Sequence, residues 1–103
     1  MINKLKSVWN DSVTQQFVEA LLAIDKAKDM QNFLRDVMTE KEIIEISSRL
    51  EAARMLQNGA TYAEIVAKTK LSSRTVARIS DWMKNGCSGY SLVLSHMAPA
   101  RPA

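Results

Sequence analysis

The sequence predicts an all-α protein organised around a helix-turn-helix, and three observations carry that expectation. Apolar residues recur at three- and four-residue spacing along the chain, and no segment shows the strict alternation of a half-buried strand. The three glycines fall at breaks in that periodicity, where helices should stop. The stretch TYAEIVAKTKLSSRTVARISDWMKN, residues 61–85, reads as two short helices joined by a tight turn, the second carrying paired arginines.

The elements follow in order. Asn10 or Asp11 can cap a first helix whose apolar stripe is Val13, Phe17, Ala20, Leu21 and Ile24. Trp9 lies just before it, positioned to pack on a neighbour. After the charged break at Asp25-Lys26, a second helix carries Ala27, Met30, Phe33, Leu34 and Val37. Thr39 caps a third, with Glu42 completing a capping box and Met38 and Ile43 stapling across the start. Its stripe is Ile43, Ile46, Leu50, Ala53 and Leu56, and Asn58-Gly59 ends it.

Thr61 with Glu64 forms a second capping box, opening the fourth helix. Thr69-Lys70-Leu71 interrupts the pattern, and Ser72-Ser73 offers the cap of the fifth. Ile65, Leu71, Val76 and Ile79 are the expected shared core of this pair. Lys70 stands at the turn position where glycine is usual, so either a left-handed lysine bears a strain of roughly 1 kcal/mol there or the turn takes another conformation. Gly86-Cys87-Ser88-Gly89 is a turn, and a last, almost wholly apolar helix runs from Tyr90 to about Met97. It has too little polar surface for the outside of a monomer, so it is expected to be buried or to face a partner. Residues 98–103 should be frayed.

Charge points to the function of the paired short helices. Residues 60–86 hold five basic residues against two acidic ones, whereas residues 1–59 hold eight against nine. Positive charge concentrated on a helix-turn-helix is what attraction to a phosphate backbone requires. Arg74 and Arg78, four residues apart, share a face opposite the apolar one and are candidates for guanine edges or phosphates. Ser72, Ser73 and Thr75 accompany them. Thr61, Tyr62, Lys68 and Lys70 are candidate phosphate contacts. The competing account of each is an ordinary solvated or packing side chain, with Arg78 paired to Asp81 and Arg49 to Glu45 at helical spacing.

Composition narrows the remainder. A chain of 103 residues, 47% apolar, is one domain (1–103) with a limited core, for which oligomerisation is a common supplement. The lone Cys87 can make neither an internal disulfide nor a metal site, which fits a reducing cytoplasm. The start lacks the apolar run of a signal peptide, and no window reaches the roughly 18 apolar residues of a membrane helix. Without a Gly-rich phosphate loop, a metal-spaced His/Cys cluster or a nucleophile elbow, no catalytic residue, metal or cofactor is expected.

The block MTEKEIIEISSRLEAARMLQNGATYAEIVAKTKLSSRTVARISDWMKNG and the following GYSLVL resemble the Trp repressor family, closest to its Trp-repressor-related YerC/YecD branch. The resemblance covers more than half the chain. Its carrying pattern is R-L-x5-L-x2-G-x-[ST]-Y-x-E-I-x3-T followed by S-x2-T-V-x-R. It implies an intertwined homodimer, with residues 10–58 and 87–97 as the dimerisation core and 61–85 as the protruding reading head. It further implies a sequence-specific regulator, expected to be a repressor, on a palindromic operator with half-sites about 34–36 Å apart. The alternatives are a helical interaction module that kept the scaffold and lost DNA reading, and an anchor within a larger initiation assembly.

In the family's founding repressor, tryptophan wedges between the third helix and the recognition helix. The resemblance places Thr39, Arg49, Thr75 and Arg78 at matching positions here. Ile79 replaces the glycine that admits the amino acid, and Trp82 replaces a small serine. The expectation is a vestigial pocket, with Trp82 filling part of it and no tryptophan corepressor.

Overall fold

The computed structural model describes residues 7–97, so the expected frayed tail at 98–103 lies outside the described residues. The described residues hold six α-helices: α1 (Ser12–Leu22), α2 (Ala27–Val37), α3 (Glu40–Gln57), α4 (Tyr62–Thr69), α5 (Ser73–Asn85) and α6 (Gly89–His96). The described residues contain no strand. No helix among them is long and apolar enough to cross a membrane. The chain divides into two compact units, Met1–Glu40 and Lys41–Ala103.

The first unit holds α1 and α2. Asp11 caps α1, its carboxylate accepting from the Val13 N–H at 2.7 Å. A short 3-10 turn, Val8–Asn10, precedes it and was not legible in the apolar spacing. Ser7 caps this turn, and the side chains of Thr14 and Gln15 donate back to the carbonyls of Val8 and Trp9. α1 stops before Ile24, two residues short of the expected stripe. The rings of Phe17 and Phe33 meet at 6.3 Å between centroids, tilted by 31°. No residue of α1 or α2 is buried, and Val13, Phe17, Leu22 and Val37 are among the most exposed apolar side chains.

The second unit holds the core. Ala52 and Ala53 of α3 pack with Ile65 of α4, Val76 and Ile79 of α5, and Leu94 of α6. Ile65, Val76 and Ile79 are wholly buried, and Leu71 is half-buried beside them, so the expected shared core is formed. On α3 the seam runs over Ala52 and Ala53 rather than the larger Ile46, which is 56% exposed. Leu50, Met55 and Leu56 of the same helix pack, half-buried, against this cluster. α3 ends as expected at Asn58-Gly59, where Gly59 has φ +87°, a conformation that favours glycine.

Both helices of the pair are closed by local hydrogen bonds. The Thr61 hydroxyl accepts from the Glu64 N–H at 3.1 Å, and the Glu64 carboxylate accepts from the Thr61 N–H at 2.8 Å. The Ser72 hydroxyl accepts from the Thr75 N–H at 3.1 Å and caps α5. Between them Lys70 is left-handed, with φ 65° and ψ 10°. Its N–H donates to the Val66 carbonyl at 2.9 Å. The Thr69 hydroxyl donates to the Ile65 carbonyl and accepts from the Leu71 N–H, so the turn is fixed from both sides. Lys70→Gly should therefore raise stability, by up to about 1 kcal/mol, because glycine adopts this φ without strain. Denaturant unfolding of the two proteins measures it.

The last turn is tight. A Cβ at Gly86 would lie 2.5 Å from the Trp82 carbonyl oxygen, closer than side chains tolerate, so only glycine lets the chain leave α5 here. α6 follows from Ser88, which has φ 66°. Leu94 enters the core, whereas Leu92, Val93 and Met97 remain exposed on the single chain.

Candidate nucleic-acid interface

Burial of Val76 and Ile79 turns the opposite side of α5 outward. Arg74 and Arg78 are both exposed on that side. Neither makes an ion pair among the described residues. Asp81, the alternative partner for Arg78, instead accepts from the Asn85 amide at 2.9 Å. Two guanidinium groups one turn apart are thus available, each with five donors in a planar fork suited to phosphate or to guanine N7 and O6.

The smaller candidate residues differ in availability. Ser72 and Ser73 are exposed at the start of α5. Thr75 is half-buried, and its hydroxyl accepts from the Ser72 hydroxyl at 3.0 Å. Thr61 is committed to the capping box. Bonded to Thr61, the Glu64 carboxyl is held below its ordinary value, first by the Thr61 N–H and then by its hydroxyl. A carboxylate therefore already sits at the start of α4. Tyr62, 42% exposed, and the following Ala63 have N–H groups with no partner among the described residues.

The lysines separate as well. Lys70 is exposed at the turn and makes no ion pair among the described residues. The Lys68 ammonium instead lies 3.3 Å from the Glu51 carboxylate of α3. Glu51 also receives Arg54 through Nε at 2.9 Å and Nη2 at 2.5 Å. Arg54 first, and Lys68 with it, hold the Glu51 carboxyl below its ordinary value against the opposing effect of burial. Charge counting had placed Lys68 with the phosphate contacts. This ion-pair partner is 17 positions away in sequence, and no local spacing reveals it.

The residues matched to the effector pocket do not form one cluster. A groove of about 620 Å³ runs along α3, the end of α5 and α6, with Ile46, Arg49, Leu50, Trp82, Tyr90 and Val93 among its walls. Arg49 and Trp82 meet there. Thr75, Arg78 and Ile79 do not line it, and Ile79 is sealed in the core. Arg49 forms the expected surface pair with Glu45, at 3.6 Å. Thr39 immediately precedes α3. The α6 walls, and Gly86 and Cys87 beside them, were not singled out from the sequence, since only the folded turn brings them beneath α3.

Comparison with known proteins agrees with this architecture. A crystal structure of a TrpR-like protein from Eubacterium eligens superposes with a TM-score of 0.83 at 31% identity, covering 97% of this chain and 99% of that one. A candidate Trp repressor from Staphylococcus aureus superposes with a TM-score of 0.81 at 26% identity, covering 94% of each chain. An uncharacterized protein of Bacillus subtilis, YerC, is 30% identical over 82 residues, 80% of this chain and 79% of its own length. The model of the Trp repressor protein family matches residues 12–98, spanning α1 through α6. A helix-turn-helix seated on a long third helix, with that match across the chain, places the protein in the Trp repressor family, in its YerC-related part.

Proposed function

We propose that this protein is a homodimeric, sequence-specific DNA-binding regulator, with α5 as the recognition helix and repression by promoter occupancy as its mode of action. The observation that carries the reading is the outward, unpaired pair Arg74 and Arg78, backed by the buried Val76 and Ile79. Residues Ser72 to Arg78 read base edges in the major groove, while Tyr62, Lys70 and the Thr61 end of α4 set register on the phosphates. Lys68 stands apart, because Glu51 already engages it.

Dimerisation is supported by apolar surface that one chain leaves open: Val13, Phe17 and Leu22 on α1, Ile44 and Ile46 on α3, Leu92 and Val93 on α6. An intertwined dimer covers such stripes and sets two recognition helices about 34–36 Å apart on a palindromic operator.

The test is retention of duplex DNA over a salt series, with solution mass measured alongside. The regulator binds as a dimer, prefers particular fragments and loses affinity steeply as salt rises. Weak retention indifferent to sequence would instead favour the interaction module.

Tryptophan is not required in this proposal. Ile79 occupies core space, and Trp82 already stands in the groove beside Arg49. Calorimetric titration with L-tryptophan is expected to show no saturable heat, and micromolar binding would refute this part.

A further inference from the structure

One cation of the reading head, Lys68, reaches back to the scaffold helix, although its side chain stays 60% exposed. Glu51 stands near the middle of α3, its side chain 26% exposed. On one side it receives Arg54, one turn further along α3. On the other it holds Lys68, in the last turn of α4, at 3.3 Å. The Arg54 pair lies within one helix and constrains nothing between helices. The Lys68 pair crosses from the scaffold helix to the first helix of the head. It sits at the end of α4 just before the left-handed Lys70, where α4 hands over to α5. Rotation of the head about the apolar cluster that includes Ala52 and Ala53 moves one end of this pair against the other.

We infer that Glu51 and Lys68 form a positioning joint that fixes the angle of the helix-turn-helix on α3, and that Lys68 acts through this joint rather than as a phosphate contact. Arg54 holds the Glu51 carboxylate in one orientation, so Lys68 meets a fixed acceptor. The DNA half of this inference rests on the function proposed above; the mechanical half does not.

Two opposed signs separate the roles. If Lys68 gripped phosphate, Glu51 would compete for its ammonium and repel DNA, and Glu51→Gln would tighten binding. As a joint, Glu51→Gln loosens the head and weakens binding. Salt gives a second discriminator, since each phosphate contact contributes about 0.9 to the slope of log K against log salt.

The experiment compares wild type, Glu51→Gln, Lys68→Met and the double variant, all as full chains. In free protein, amide exchange in α4 should quicken about two- to fivefold in each single variant, as expected for losing one partly exposed pair. In α4 the double variant should match Glu51→Gln, because once the carboxylate is gone Lys68→Met has no cross-helix pair left to remove. Unchanged α4 protection, or additive effects, overturns the joint. With duplex DNA, both single variants should bind about two- to fivefold more weakly with the salt slope kept. Tighter binding by Glu51→Gln, or a slope lowered by about 0.9 in Lys68→Met, overturns it also. Failure of wild type to retain any duplex would sink the proposed function alone, and the exchange data would still decide the joint.

Discussion

Arg74→Ala is expected to abolish most of the sequence preference while leaving the fold intact. The side chain is exposed and makes no ion pair among the described residues, so its removal strands no partner and opens no cavity. Position 74 is the second residue of α5, near the N-terminal end of the helix that would enter the groove. A guanidinium there spans guanine O6 and N7 with two parallel hydrogen bonds, worth about 1–3 kcal/mol of discrimination. Affinity for the preferred fragment should therefore fall by roughly 10- to 100-fold. Affinity for random duplex should fall much less, so the preference collapses. Loss that is uniform across sequences, with a shallower salt slope, would reassign Arg74 to phosphate. No loss on any duplex would remove the central support for DNA reading. Selection from random sequence by wild type supplies the preferred fragment, and thermal unfolding of the variant verifies that it is folded.

The features legible in the sequence are those that a few neighbouring residues settle. Thr61 with Glu64, Ser72 before α5, and Asn58-Gly59 after α3 are read from spacing because capping is a local hydrogen-bond problem. The turn at Lys70 was foreseeable for the same reason, since two helices so close in sequence need a sharp reversal between them, and of the two conformations left open there the left-handed one is adopted. The buried faces of α4 and α5 followed from helical periodicity. What was not legible depends on distance in the fold. The expected α3 stripe held at Leu50, Ala53 and Leu56 but not at Ile46, which is exposed, while Ala52 is buried in its place, because which side of a helix meets its neighbours depends on how they cross it. Lys68 was grouped with its basic neighbours because charge counting cannot see Glu51 across two helices. The groove beneath α3 draws its far wall from α6, which only the turn at Gly86 brings into place. The first-turn cap at Ser7 escaped because a three-residue helix carries no apolar period of its own.

Ile79→Ala should rank with Ile65→Ala as the most damaging core substitutions in the reading head. Ile79 is wholly buried and belongs to the cluster that joins α3, α4, α5 and α6. Truncating a buried isoleucine to alanine typically costs about 2–5 kcal/mol, through lost transfer energy and the cavity left behind. A chain of this size has on the order of 5–15 kcal/mol to lose, so a midpoint shift of roughly 10 °C or more is expected. The neighbours cannot collapse into the space easily, since Ala52 and Ala53 are backbone-near groups of a long helix and Ile65 and Val76 are stiff at χ1. The same substitution separates two accounts of this position. If Ile79 merely blocked a ligand site, shortening it would restore tryptophan binding. Its side chain faces the core and not the groove that Arg49 and Trp82 line, and three carbon atoms vacated there cannot admit an indole. Ile79→Ala is therefore expected to unfold earlier in denaturant and still to ignore L-tryptophan. Ligand-dependent recovery of its stability would show instead that the space belongs to a pocket.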